Sequence, residues 1–256
     1  MQKFVLTGMP RTGTTVLSGA LLHHPDVLFY GELFHHNIKV RAGEAARRTL
    51  GAGWKLDPPP GQGIKCCPPQ MPAAAYLKAL FGQPTLQRAL GFKLLSDQAT
   101  RGSNSDVWDC LVADQQVKFI ETRRRHLLPV ICSFVRASMT RCWHTNKAPE
   151  AAVTFVITAD EFVRLADRFQ YRHPALARLA SQRRLVIDYE AIESDFSGCM
   201  ARLFRFLGVT VPDRVQPALK KIATLSPEQE LRNYRELKLQ FEGSAYGRIF
   251  EDWEGR

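Results

Sequence analysis

The stretch from Phe4 to Leu22, FVLTGMPRTGTTVLSGALL, decides the fold class. A short apolar run, Phe4–Thr7, enters a glycine-bearing loop, and Val16, Leu17, Ala20 and Leu21 follow at helical spacing. Gly8, Gly13 and Thr15 fall in the register of the phosphate loop G-x-x-x-x-G-K-[ST], but Thr14 stands in the lysine slot and the cation is Arg11, inside the loop. Glycines there let successive backbone N–H groups turn inward, while the next helix points its positive end at the same spot. Thr12, Thr14 and Thr15 add hydroxyl donors. Such a loop holds a phosphate without a lysine. Chemistry at a γ-phosphate asks for more, namely that lysine and a strand-end aspartate on Mg²⁺. The later run Val117–Thr122 ends in Glu121-Thr122 instead. A P-loop nucleotide kinase or other phosphotransferase is therefore the alternative reading, and a disfavoured one.

Outward from the loop, strand-like and helix-like segments alternate. Gly91–Leu95, Val117–Thr122 and Arg184–Asp188 read as strands; Ala73–Phe81, His126 to about Trp143 and Ser197–Leu207 read as helices. The helix after His126 carries Leu128, Ile131, Phe134, Val135 and Met139 on one face, with Pro129 tolerated in its first turn. Thr158-Ala-Asp-Glu161 forms a capping box opening a helix toward Tyr171, and Ser226 with Pro227 opens another. Alternation of this kind predicts an α/β fold: a P-loop-like parallel sheet flanked by helices, with right-handed crossovers and ligands at the carboxyl ends of the strands. We expect one domain over 1–256. Within it, 41–91, rich in Gly and Pro (PPPGQG, CCPPQMP), forms an irregular acceptor-facing excursion.

At 256 residues with 45% hydrophobic and 23% charged positions, the chain can build an ordinary core. Its net charge of +10 calls for anionic partners. A nucleic-acid-binding protein is a third reading, but no DNA or RNA motif is present and the arginines are spread along the chain. No run reaches membrane-spanning length, and the first apolar run is too short for a signal peptide. The six cysteines, Cys66, Cys67, Cys110, Cys132, Cys142 and Cys199, lack CxxC spacing, so we read them as reduced thiols in a cytoplasmic protein and expect no zinc site.

The loop PRTGTTVL is similar to the P-[KR]-[ST]-G-[ST]-[ST] loop of sulfotransferases that use 3′-phosphoadenosine 5′-phosphosulfate (PAPS). The ordered segments MPRTGT, HPDVLFYGEL, GFKLLSDQ, RRRHLLPVICSFVRA, IDYEAI, FRFLGV, LRNYRELKLQF and YGRIFE resemble, more narrowly, the bacterial nodulation-factor (lipochitooligosaccharide) sulfotransferases. The resemblance spans nearly the whole chain and is weakest from about Arg41 to Gly91. It implies a metal-independent transfer of the sulfuryl group from PAPS to a hydroxyl, of carbohydrate or glycolipid type, leaving 3′-phosphoadenosine 5′-phosphate (PAP). Pro10, Arg11, Thr12, Gly13, Thr14 and Thr15 would line the 5′-phosphosulfate, with Arg11 at the bridging oxygen. Arg125 and Ser133 match the family's Arg and Ser that grip the 3′-phosphate, a task suited to charge-assisted bonding. Tyr189 matches a position near the adenine, and Arg232, Asn233 and Tyr234 stand where relatives carry a similar Arg-Asn-[FY] stretch. The C-terminal RKG loop of cytosolic sulfotransferases has no counterpart, which leaves the third 3′-phosphate contact open. Packing is the competing reading for Tyr189 and Tyr234.

In-line transfer to an alcohol needs a base. The family's histidine after a Lys-Thr pair has no counterpart in Phe92-Lys93-Leu94-Leu95. Glu32, in Tyr30-Gly31-Glu32, resembles the Gly-Glu segment whose glutamate is proposed as base in bacterial carbohydrate sulfotransferases. His35 and His36 compete for the role, and Glu32 as a mere ion-pair partner of Arg11 or another cation is the plainer alternative. Lys93 would add positive charge near the sulfuryl group. Neither acceptor identity nor oligomeric state is written in these residues.

Overall fold

A computed structural model describes residues 1–34, 39–40, 64–65, 72–100, 105–143, 152–217 and 225–255. Most of the expected excursion at 41–91, the histidines at 35 and 36 and the cysteines at 66 and 67 lie outside the described residues. By its contacts the chain divides into two compact units: Met1–Met9, Gly13–Arg123 and Arg172–Pro217 form the first, and Pro10–Thr12, Arg124–Tyr171 and Ala218–Arg256 the second.

The first unit holds a five-stranded sheet, all parallel, in the order β2-β5-β1-β6-β7. Its strands are β1 (Gln2–Gly8), β2 (Val27–Glu32), β5 (Ala89–Leu95), β6 (Val117–Arg123) and β7 (Arg184–Asp188). A two-residue antiparallel pair, β3 (Lys39–Val40) and β4 (Ile64–Lys65), stands apart. Central β1 is apolar and buried from Phe4 to Leu6 because both faces are covered there, as a parallel sheet requires. Phe4 and Leu6 join one core with Leu17 and Leu21 of α1 (Thr14–Leu22) and with Met200, Leu203 and Phe204. Val5 points the other way, into a core with Phe92, Phe119, Trp108 and Leu80. Helices α2 (Ala73–Phe81) and α3 (Val107–Ala113) supply that second face; α6 (Tyr189–Ser194) and α7 (Phe196–Leu207) supply the first. The predicted fold class is the one observed.

In the second unit, α4 (Leu127–Thr140) buries Leu128, Ile131 and Val135 as expected, whereas Met139 is 57% exposed. The helix stops short of Trp143 because Arg141 turns left-handed at its C-cap. Helix α5 (Ala159–Gln170) starts at Thr158, whose side chain accepts from the Glu161 N–H. Ser226 and Gln229 close a capping box on α8 (Pro227–Glu230). The chain then breaks before α9 (Tyr234–Gln240) and ends in α10 (Arg248–Glu254). The break is made by a bridge between Phe155 and Leu231, which takes backbone groups a helix would use. Beneath it Arg136 and Glu230, both buried, form an ion pair.

No helix among the described residues is long and apolar enough to cross a membrane.

Candidate active site

Three positive φ angles shape the phosphate-type loop: Gly8 at 151°, Arg11 at 70° and Gly13 at 93°. Arg11 is the only one of the three with a side chain, and strain of that kind gathers where chemistry is done. Gly13 is the N-cap of α1 and no side chain caps the helix, so its first N–H groups face outward for an anion. A side chain at Gly13 would meet Ile192 Cδ1 at 2.9 Å and Tyr189 Cδ2 at 3.0 Å, so Tyr189 packs directly behind the turn.

The first unit answers the question of the absent Walker lysine. Lys93, on β5 and only 6% exposed, extends its Nζ to within 3.3 Å of the Thr15 hydroxyl at the start of α1. It also lies 2.8 Å from Glu32 Oε1. The charge that the loop's own sequence omits is thus supplied from the neighbouring strand. Glu32 reaches Lys93 through a bulge. Phe29 pairs with Gly91, but Glu32, not Gly31, pairs with Lys93, and Gly31 absorbs the extra residue at φ 67°. A one-residue slip changes the face a side chain occupies, so the bulge puts the carboxylate beside the lysine.

The other Glu32 oxygen, Oε2, accepts from Gln98 Nε2 at 2.7 Å. Both bonds need the carboxylate form, since neither an ammonium nor an amide N–H accepts a proton in return. The expectation that a cation would pair with Glu32 is met by Lys93. Nearby Tyr30 is no rival as proton acceptor, because burial pushes its phenol up to about 12.

In the second unit, Arg11 Nε donates to Ser133 Oγ at 2.9 Å and Nη1 to the Trp143 carbonyl at 2.8 Å. Two residues expected to serve different phosphates are therefore directly bonded. Thr12 is buried and Arg125 exposed at the start of α4. Asn233 donates to the Ile157 carbonyl at 2.8 Å, and buried Tyr234 donates its hydroxyl to Glu254 Oε1 at 2.8 Å. Of that trio only Arg232 is exposed.

Sequence reasoning passed over Glu121, buried at the end of β6. Arg123 binds it through Nε at 2.9 Å and Nη2 at 3.2 Å; Arg172 binds it through Nε at 2.8 Å and Nη2 at 3.0 Å. Burial works to raise its carboxyl, yet the Arg172 and Arg123 hydrogen bonds outweigh it and hold the group below its ordinary value. An acid directly after the apolar pair Phe119-Ile120 was the available signal.

No family model matches the chain. Nodulation protein H of Rhizobium meliloti (strain 1021) is 27% identical over 258 residues, covering 98% of this chain and 95% of that protein. Nodulation protein H of Rhizobium tropici is 25% identical over 261 residues, covering 98% and 93%. Among solved structures, a sulfotransferase from Alicyclobacillus acidocaldarius superposes with a TM-score of 0.50 at 16% identity, over 100% of this chain and 95% of that one. The sulfotransferase domain from the curacin biosynthetic pathway gives 0.52 at 17%, over 99% and 97%.

Proposed function

We propose that this chain, a full-length relative of nodulation protein H with the sulfotransferase fold, transfers the sulfuryl group of PAPS to a hydroxyl of a carbohydrate or glycolipid. One observation carries the reading. An uncapped helix start with Thr14 and Thr15, and a buried lysine from the adjacent strand, form an anion cradle beside the Glu32 carboxyl. That pairing suits transfer of an anionic group to an oxygen that must lose a proton. The whole chain acts as one sulfotransferase domain, with 41–91 facing the acceptor.

PAPS supplies a sulfuryl group already attached to a good leaving group, so the chain's task is to hold, orient and deprotonate. Thr12, Gly13, Thr14 and Thr15, following Pro10, take the 5′-phosphate on backbone N–H and hydroxyl donors. Arg11 and Lys93 face the charge that grows on the bridging and sulfuryl oxygens. Arg125 and Ser133 hold the 3′-phosphate. The Ser133 hydroxyl accepts from Arg11 and keeps its own proton to donate, so it can serve both groups. Tyr189, behind Gly13, supports the adenine side, and Arg232 is the member of its trio best placed to reach solvent-borne phosphate. Glu32 takes the acceptor's proton.

Calorimetry tests the nucleotide. Adenosine 3′,5′-bisphosphate should bind at least about tenfold more tightly than AMP, about 1.4 kcal/mol, and product should still form from PAPS in excess EDTA. Equal affinities, or turnover abolished by chelation and restored by Mg²⁺, would favour the phosphotransferase reading.

A further inference from the structure

We infer that Gln98 is the residue that positions Glu32, holding the carboxylate ionised and aimed for the acceptor's proton; the inference rests on Glu32 being the base. Gln98 follows β5 in a tight turn, and its backbone is pinned on both sides. Its N–H donates to the Leu95 carbonyl at 2.9 Å, and its own carbonyl accepts from Trp108 Nε1 at 2.9 Å. Trp108 is fully buried in the core and stacked on His173 at 4.3 Å between ring centroids. The side chain has equally little freedom. Its Oε1 accepts from the Leu95 N–H at 3.1 Å, and only the amide oxygen can fill that place. The amide nitrogen is thereby obliged to face the other way, and there it meets Glu32 Oε2 at 2.7 Å.

Gln98 is thus held through its backbone by Leu95 and Trp108 and through its side-chain oxygen by the Leu95 N–H, and its amide nitrogen serves one carboxylate oxygen while Lys93 takes the other. An ammonium alone is a point charge that leaves the carboxylate free to rotate. The amide is planar and directional, and with Lys93 it fixes the plane of the carboxylate. Among the described residues, the ionisable groups on the elements around the pair are Lys93 on β5 and Asp97 in the turn that carries Gln98, while α1 holds no ionisable residue and β3 has Lys39 in its sequence.

The test compares wild type with Gln98→Met and Gln98→Glu, the second retaining an acceptor for the Leu95 N–H. In protein labelled with ¹³C at glutamate carboxyls and saturated with PAP, the Glu32 resonance is identified by its loss in Glu32→Gln. Removing a donor to the charged form should move its titration midpoint to higher pH in Gln98→Met, and a like charge should move it further in Gln98→Glu. With PAPS and a chitin tetrasaccharide, kcat should fall about 10- to 100-fold, while the Kd for PAP changes less than about threefold. An unmoved midpoint in either folded variant overturns the positioning role, and so does a loss of PAP affinity parallel to the loss of rate. A Glu32→Gln enzyme that turns over at the wild-type rate fails the base assignment instead, whatever the Gln98 variants do.

Discussion

Arg11 and Glu32 should fail in different ways when replaced, because one meets charge that grows during transfer and the other meets only a proton. Arg11→Ala should lower turnover more than it weakens PAP binding, since the backbone and threonine contacts of the loop survive. Glu32→Gln should keep PAP affinity and lose roughly 10²-fold or more in turnover, the usual contribution of a positioned base. The acidic limb of the kcat/KM profile should go with it. Because Gln98 and Lys93 both donate to Glu32, the amide of the variant must turn its NH₂ toward one of them. A modest drop in melting temperature should accompany the kinetic loss. Full activity in Glu32→Gln, with a histidine variant at 35 or 36 inactive, would move the proton to histidine.

At the scale of elements, the bulge in β2 decides whether the base meets its lysine. Gly31 holds a left-handed φ of 67°, which costs a residue with a side chain about 1 kcal/mol. Gly31→Ala should therefore cost little in urea unfolding but about tenfold or more in turnover, because relief of the strain shifts Glu32 along β5. A rate loss no larger than the stability loss predicts would mean the bulge is incidental. This element also marks where sequence reading stops. Strands such as Arg184–Asp188 and helices such as Ala73–Phe81 are legible to the residue, because apolar spacing and punctuation are local signals. β2 and α3 were not anticipated. The pairing of β2 with β5 joins segments separated by β3, β4 and α2, and nothing near Glu32 names Lys93 or Gln98 as partners. The motif GFKLLSDQ contains both, yet their roles depend on a register that only the assembled sheet sets. The loop was legible for the opposite reason, since its ligand groups are contiguous.

For the molecule as a whole, Glu121 has the widest reach. Its folded carboxyl lies below its ordinary value of 4.5, so its contribution is fully present above that pH and is lost as the pH falls through the depressed value. Glu121→Gln should cost roughly 2 kcal/mol at neutral pH, less than a fully buried broken pair because Arg123, Arg172 and Arg184 are partly exposed and can rehydrate. In urea unfolding the gap from wild type should stay constant from about pH 7 to pH 5 and narrow below 4.5. A gap unchanged at pH 3.5 would show that Glu121 acts by packing alone. Arg123 is the residue at which the chain leaves the first unit, and Arg172 the residue at which it returns. One carboxylate therefore clasps both roots of the Arg124–Tyr171 segment, as a buckle holds the two ends of a strap. In polymer terms the clasp makes that segment a closed loop whose entropy grows only with the logarithm of its length, about 0.6 kcal/mol per doubling. Residues gained or lost between α4 and α5 should therefore cost the register of β6 and β7 little, so the length of the strap and the sheet it is buckled to can change independently.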